Sequence, residues 1–299
     1  MRELVFVHGR AQEHKNASAL KAEWIESLED GLSKSNLKLP IDEKQIHFPF
    51  YGDRLYGMTE GKLADAMADI IVRGEGGHAE QEFTRAMLRE LQESGVVTED
   101  QLSEVAGPGA IERGPLNWEW FQDILRAVDR YVPFGSGANI AIFTRDVYMY
   151  LKNSQIRESI DKGVGAAIKP GVETVVVSHS LGTVVAYNLL RLQGIQLGWQ
   201  VPLLVTVGSP LAIGEVRKTM KLLAPVDVPE CVTRWYNALD TRDVVALYPL
   251  DTKRFPLVNP LHAIENMTNV RNKTTNRHGI AGYLDDKAVA KTIYDALIA

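Results

Sequence analysis

Short apolar runs alternate along this 299-residue chain with longer amphipathic segments. Runs of this length are typical of strands buried on both faces of a parallel sheet. The amphipathic segments between them are typical of helices that cover such a sheet. The pattern therefore predicts an α/β protein with a parallel sheet flanked by helices. The predicted strands are 4–7, 45–48, 173–177, 203–207, 232–237 and a short sixth at 269–271.

Helices are predicted where apolar residues recur every three or four positions. One begins near Asn16 or Ser18, either of which can cap it, and it carries Leu20 and Trp24 on one face. The other helices predicted for the core are 144–160, 181–193 and 286–298.

The stretch between the second and third predicted strands differs from the rest. Residues 52–137 hold 12 of the 24 glycines and contain two amphipathic helical patterns but no strand pattern. We therefore expect a helical cap or lid with its return segment at 52–144, inserted into a core formed by 1–51 and 145–299. The alternative is a set of ordinary sheet-covering helices joined by long loops. Aromatic residues of this stretch are Trp118, Trp120, Phe121, Tyr131 and Phe134.

The sharpest candidate for chemistry is Ser180, which follows the third predicted strand. Residues 175–182 read Val-Val-Val-Ser-His-Ser-Leu-Gly, so a valine strand runs into Ser-x-Ser-x-Gly and a helical pattern follows at once. A strand, a sharp turn and a helix expose a nucleophilic serine, and the small residues Ser178 and Gly182 let strand and helix cross closely. The alternative is a serine that only caps the helix.

A serine nucleophile needs a base, and the base needs an orienting carboxylate. Beyond Ser180 the chain offers two histidines, and we favour His278 over His262 because it lies in a loop after the last predicted strand. The acid should follow the preceding strand, where Asp240 and Asp243 both lie. We favour Asp243, because the apolar residues after it can anchor the loop and turn its carboxylate inward.

Acyl transfer also needs N–H donors for the negative oxygen of the intermediate. One donor is expected from Leu181, directly after the serine. The second is expected from Arg10, because Gly9 permits the backbone to turn the next N–H into the site. His8 and His179 are expected to be structural rather than catalytic.

Composition narrows the possible functions. The chain has 45% hydrophobic and 24% charged residues, a globular balance, and a net charge of −5 (33 basic minus 38 acidic residues). The acidic charge and the lack of a basic stripe argue against a nucleic-acid partner. We expect no transmembrane segment and, without a signal-peptide pattern, a cytoplasmic location. A single cysteine, Cys231, excludes an internal disulfide and a thiolate metal cluster.

These motifs, in this order along the chain, resemble the α/β-hydrolase superfamily of serine hydrolases, and within it the bacterial lipase/esterase-like branch. The residues that carry the resemblance are Val7-His8-Gly9, Ser178-His179-Ser180-Leu181-Gly182, Gly208-Ser209-Pro210, Asp243 and His278. The resemblance covers roughly 1–51 and 145–299. Two features are expected to depart from the resembled family: Ser178 stands where glycine is usual, and no antiparallel hairpin is expected before the first strand. The sheet is therefore expected to be reduced to about six strands.

The resemblance implies hydrolysis of a carboxylic ester through an acyl-enzyme, with Ser180, Asp243 and His278 as the catalytic residues. It implies no metal or organic cofactor. The expected substrate is a small-molecule ester with a hydrophobic group. A thioesterase, phospholipase or peptidase using the same residues is the alternative, and a non-catalytic binding or signalling protein with this fold is a further one.

Overall fold

One parallel sheet organises the chain. The structure, a computed structural model, describes residues 2–9, 16–52, 77–106, 118–132 and 136–299. The strands found there are β1 (Glu3–Val7), β2 (Ile46–His47), β3 (Thr174–His179), β4 (Leu204–Val207), β5 (Trp235–Ala238) and β6 (Glu265–Met267). They lie in the order β2-β1-β3-β4-β5-β6, and every neighbouring pair is parallel. The predicted α/β class with about six mainly parallel strands is confirmed.

Helices cover both faces of this sheet. The described residues form α1 (Ala17–Ser33), α2 (His78–Glu93), α3 (Glu99–Ala106), α4 (Trp118–Tyr131), α5 (Gly137–Lys152), α6 (Ser154–Gly165), α7 (Leu181–Gln193), α8 (Gly214–Lys221), α9 (Ile280–Leu284) and α10 (Lys287–Ile298). Side chains of α1, α9 and α10 pack on one face, and those of α5, α6, α7 and α8 pack on the other.

The side-chain alternation of β3 accounts for the two layers. All six residues of the strand are buried, as the valine run predicts. Successive side chains of a strand point to opposite faces. Val175 and Val177 therefore join the core under α1, whereas Val176 joins the core under α7. Such a strand lies at the centre of a sheet, where β1 and β4 pair with it on either side.

Capping residues explain where the flanking helices begin. Asn16 caps α1, since its side chain accepts the backbone N–H groups of Ser18 and Ala19. Asp286 caps α10 in the same way. Helix α7 spans the predicted residues, 181–193.

The predicted sixth strand is wrong in position. The structure places β6 at Glu265–Met267, and Asn269 makes only an isolated antiparallel bridge with Asp240. The strand lies at the edge of the sheet and its first two residues are exposed. Because an exposed edge strand need not be apolar, it lacks the hydrophobic run on which the prediction depended.

The single helix predicted at 144–160 is two helices, α5 and α6. Asn153 separates them in an extended conformation, with φ −99° and ψ 109°. Its N–H still closes the last turn of α5 on the Met149 carbonyl, while its side chain accepts the Ile156 N–H and starts α6. An asparagine side chain that caps the next helix therefore bends the chain where periodicity alone continues.

Five helices, α2 to α6, lie between β2 and β3 in the described residues. One face of α2 places Phe83 and Met87 in the core beside the sheet. Other α2 side chains pack with α3, α4 and the start of α5 in a separate apolar cluster that includes Leu91 and Phe121. Helix α2 thus attaches this cluster to the sheet. The division of the chain into a core and a cap at 52–144 stays a prediction.

Candidate active site

Ser180 occupies a sharp turn between β3 and α7. Its backbone has φ 56° and ψ −129°, a conformation that residues other than glycine rarely adopt. The turn is held by the Ser180 N–H, which donates to the Val207 carbonyl at 3.2 Å. It is held also by the Thr183 hydroxyl, which donates to the Ser180 carbonyl at 2.7 Å. The serine is therefore fixed at the N-terminus of a helix, where the helix dipole favours negative charge.

Two glycines allow the loop after β1 to approach this turn. A Cβ on Gly182 would lie 2.3 Å from the Val7 carbonyl oxygen, and one on Gly9 would lie 2.8 Å from the Ser180 Cβ. Either contact is too short for a real Cβ atom. The Ser180 side chain and the His8-Gly9 backbone are consequently in direct contact. Ser178, at the position where the sequence resemblance leads one to expect glycine, is accommodated because its hydroxyl donates to the Val205 carbonyl at 2.9 Å.

The structure brings Ser180, His278 and Asp243 together in one hydrogen-bonded chain. Nε2 of His278 lies 2.8 Å from Ser180 Oγ, and Nδ1 of His278 lies 2.7 Å from Asp243 Oδ2. Because a carboxylate only accepts, Nδ1 carries the proton and Nε2 is left to accept the serine hydroxyl. This tautomer is the one that removes a proton from the serine as the hydroxyl attacks a substrate.

The Asp243 carboxylate is buried, and several donors surround it. Oδ2 accepts the Tyr283 hydroxyl at 2.6 Å as well as His278, and Oδ1 accepts the Val245 N–H at 2.9 Å. Burial acts to raise the pKa of Asp243, but His278, Tyr283 and the Val245 N–H together hold that pKa below its usual value. The carboxylate is therefore ionised and oriented toward the imidazole.

The alternative acid, Asp240, serves another purpose. Its carboxylate accepts Arg242 at 2.8 and 2.5 Å and the Asn272 backbone N–H at 2.8 Å. Burial acts to raise the pKa of Asp240, whereas the Arg242 side chain and the backbone N–H groups of Arg242 and Asn272 lower it, with a net decrease. Asp240 thus joins the acid loop (239–246) to the base loop (268–279) and makes no contact with His278 that the structure shows.

The alternative base, His262, is exposed and pairs elsewhere. Its Nδ1 lies 2.6 Å from Asp227 Oδ1 and its Nε2 lies 3.2 Å from the Asn259 amide nitrogen. The structure therefore brings His278, and not His262, to Ser180.

His179 holds the base loop against the serine turn. Its Nε2 lies 2.7 Å from the His278 backbone carbonyl, and the two rings lie 4.7 Å apart. Burial, together with the neighbouring His278, lowers the pKa of His179 to about 3. The neutral ring therefore donates its Nε2–H to that carbonyl, which is a positioning role and agrees with the structural role expected for this residue.

A second buried histidine, His8, fixes the loop expected to bind the oxyanion. The Tyr51 N–H donates to His8 Nε2 at 3.0 Å, so Nδ1 carries the proton and donates to the Gly9 carbonyl at 2.6 Å. Burial lowers the pKa of His8 to about 4, which keeps the ring neutral. The Tyr51 hydroxyl donates to the His8 carbonyl, and the two rings stack at 3.9 Å. Tyr51 thus locks the loop after β1 to the chain after β2.

Of the two residues expected to bind the oxyanion, the structure describes Leu181 and not Arg10. Leu181 is the first residue of α7, where a backbone N–H has no acceptor within the helix. Its N–H is therefore available to a ligand beside Ser180. Arg10 lies outside the described residues, so its role stays a prediction from the sequence.

The aromatic residues of the inserted stretch mostly pack within it. Trp120 and Phe121 are buried in the cluster of α3 and α4, and Tyr131 lies at its margin with its hydroxyl on Glu104. Phe134 and the side chain of Trp118 lie outside the described residues.

Sequence reasoning missed two residues that shape the site, Tyr283 and Asn272, whereas it placed Tyr51 near the rim of the site as a residue that either shapes it or only makes a turn. The Asn272 side chain accepts the Thr274 N–H at 3.0 Å and donates to the Gly279 carbonyl at 2.8 Å, so it folds the base loop on itself. The one available signal for Asn272 was its place in an Asn-x-Thr triplet beside other turn-forming residues. For Tyr283, no local pattern indicates that its hydroxyl will bond to Asp243.

No group of three or more His, Cys, Asp or Glu side chains in the described ranges could hold a metal ion. Over the same residues, no helix has the length and apolar character needed to cross a membrane.

Comparison with protein-family models, with curated proteins and with solved structures gives no match for this chain. The fold itself defines the class: this is an α/β protein with one parallel six-stranded sheet flanked by helices. A hydrogen-bonded serine, histidine and aspartate lie together at the carboxyl edge of that sheet.

The depressed pKa of His179 predicts a pH dependence of stability. Below about pH 6.5 this histidine binds a proton in the unfolded chain, whereas in the folded protein its ring, with a pKa of about 3, stays neutral. The contribution of neutral His179 to the free energy of unfolding is complete above about pH 6.5 and is lost as the pH falls toward 3. At pH 5 the loss is about 2 kcal/mol. We expect His179→Gln to reduce the decrease in unfolding free energy between about pH 7.5 and pH 5, measured by urea denaturation, while the decrease due to buried His8 remains.

The matched control is His78→Gln, because His78 is exposed at the start of α2. It should retain the full slope of the natural protein. Asp161 acts in the opposite direction, since burial raises its pKa to about 6, but this effect is common to all three proteins. An unchanged slope in His179→Gln would contradict a neutral, buried His179.

Proposed function

We propose that the protein is a serine hydrolase of the α/β-hydrolase superfamily, in its bacterial lipase/esterase-like branch, and that it cleaves carboxylic esters. One observation carries the proposal: Ser180 Oγ, at a positive-φ turn, lies 2.8 Å from His278 Nε2, whose Nδ1 lies 2.7 Å from Asp243. A serine that only caps α7 needs neither contact, and its side chain makes no capping hydrogen bond. The chain order serine, acid, histidine is that of this superfamily.

Acylation begins with attack of Ser180 Oγ on the ester carbonyl carbon. His278 Nε2 takes the hydroxyl proton as the new C–O bond forms, and Asp243 stabilises the charged imidazole. The carbonyl oxygen becomes negative and accepts the Leu181 N–H and, as the sequence predicts, the Arg10 N–H. The bond to the alcohol oxygen then breaks, and the alcohol leaves with the proton from Nε2.

Deacylation repeats these steps with water. His278 Nε2 removes a proton from a water molecule whose oxygen attacks the acyl carbon. The bond to Ser180 Oγ breaks, the serine regains its proton from Nε2, and the carboxylic acid is released. No step of this reaction needs a metal or an organic cofactor.

The hydrophobic group of the substrate is proposed from the sequence. The apolar cavity beside the acid loop, lined in part by Val244 and Val245, has a volume of about 20 Å³, which is room for about one water molecule and not for an acyl chain. Thioesters, phospholipids and peptides remain alternative substrates, since the same three residues serve them, and the substrate series below separates them.

The first test is covalent labelling of the serine. We expect a fluorophosphonate probe to label the natural protein and not to label Ser180→Ala, because the probe reacts readily with a serine that a histidine activates. Ser178→Ala is the matched control, since it removes a hydroxyl two residues away that bonds to Val205. It should keep its label. Labelling that survives in Ser180→Ala, or is absent from all folded forms with detergent present, contradicts the proposal.

A labelled protein is then given p-nitrophenyl esters of increasing chain length. Faster turnover of esters than of matched thioesters, phospholipids and peptides is expected. A preference for one of the other three classes would replace the ester in the proposal while leaving Ser180 as the nucleophile.

The second test compares the two aspartates. Asp243→Asn should lower kcat about 10³- to 10⁴-fold, because the amide favours the wrong imidazole tautomer and cannot stabilise its charge. Asp240→Asn removes a carboxylate of equal burial that pairs with Arg242, so we expect kcat to change less than about tenfold, although the protein becomes less stable. Steady-state kinetics on the folded variants give the two values of kcat. A larger loss in Asp240→Asn would exchange the roles of the two residues.

A further inference from the structure

Tyr283 is the second side chain that hydrogen-bonds to Asp243, beside His278, and the proposed mechanism does not use it. It lies in α9, just after the base loop, and is fully buried. Its hydroxyl donates to Asp243 Oδ2 at 2.6 Å, the same oxygen that binds His278 Nδ1. A buried phenol therefore shares one carboxylate oxygen with the candidate base.

The direction of this hydrogen bond is fixed by the acid loop. The Asp240 backbone N–H donates to the Tyr283 oxygen at 3.3 Å. Because that side of the hydroxyl accepts, its proton points at Asp243. Burial, and the neighbouring negative charge of Asp243, raise the pKa of Tyr283 well above its usual value, so the hydroxyl keeps this proton. Tyr283 is thus a permanent donor to Asp243.

We propose that Tyr283 is a positioning residue for the reaction: its hydroxyl holds Asp243 Oδ2 beside His278 and weakens that oxygen as an acceptor for the imidazole Nδ1–H. Two donors on one oxygen share its negative charge, so each binds less strongly than it would alone. Loss of the Tyr283 hydroxyl therefore strengthens the bond between Asp243 and His278 and favours the charged imidazole. The kinetic part of this inference rests on the proposed function, whereas the hydrogen-bonding part does not.

Other ionisable groups near Asp243 and His278 do not weaken Asp243 Oδ2 as an acceptor in the way that Tyr283 does. His179 and His8 are neutral, because burial lowers the pKa of His179 to about 3 and that of His8 to about 4. Asp240 is neutralised by Arg242. Of the described side chains, the ones that donate to Asp243 are Tyr283 and His278.

The experiment compares Tyr283→Phe with Tyr187→Phe. Tyr187 is an equally buried phenol whose hydroxyl also accepts a backbone N–H and donates to an oxygen, both of Asp227, so its loss is a matched control. The first readout is the proton NMR resonance of His278 Nδ1–H, identified by its absence in His278→Asn. The second is the acid limb of the pH profile of kcat/KM, which reports protonation of the Asp243–His278 pair.

We expect the resonance to move downfield in Tyr283→Phe alone and the acid limb to rise by about 0.5 to 1 pH unit. Tyr187→Phe should change neither. Site-specific 3-fluorotyrosine at position 283 is a stronger donor that keeps the packing, so it should move both readouts the opposite way. It also tests the inference if Tyr283→Phe does not fold.

An unchanged resonance in both position-283 variants, or the same shift in Tyr187→Phe, overturns the inference. Changes in kcat without any shift of the acid limb also overturn it, since packing alone produces them. A resonance that moves as expected in a protein without Ser180-dependent activity supports the hydrogen-bonding role and rejects the proposed function, so the two failures are distinguishable.

Discussion

The site depends on one close crossing, where the backbone after β1 meets the start of α7. Gly182 and Gly9 make this possible. A Cβ on Gly182 would lie 2.3 Å from the Val7 carbonyl oxygen, and a Cβ on Gly9 would lie 2.8 Å from the Ser180 Cβ. The parallel pairing of β1 with β3 brings both segments to the same edge of the sheet. The crossing thereby places a strained serine, a helix N-terminus and the loop containing His8 within contact distance, and the proposed mechanism uses this arrangement.

Burial of charge imposes the second constraint on the site. An unpaired carboxylate at the position of Asp243 would be costly, so its oxygens are satisfied by His278, Tyr283 and a backbone N–H. Asp240 is satisfied in turn by Arg242 and the base loop. These buried networks tie the acid loop, the base loop and α9 together. The orientation of His278 is therefore determined by polar contacts on several elements, which is how a site keeps its geometry without ligand.

The sequence predicts best where local pattern and burial coincide. Residues 173–193 combine a valine strand, a tight turn and an amphipathic helix, and the structure places all three there. Prediction was wrong for β6, an exposed edge strand without an apolar run. Tyr283 could not be predicted, because its partner Asp243 lies 40 residues away and no periodicity links them. Contacts of this kind depend on how distant loops meet, which a single sequence does not encode locally.

The central claim is that Ser180 carries the acyl group during turnover. The most direct measurement is mass spectrometry of the peptide that contains Ser180 after the protein is mixed with a p-nitrophenyl ester and rapidly quenched with acid. The mechanism predicts an acyl mass on Ser180, formed at the rate of the initial burst of p-nitrophenol and lost as the acid is released. Hydrolysis with the acyl mass on another residue, or with none on Ser180 during a burst, would contradict it.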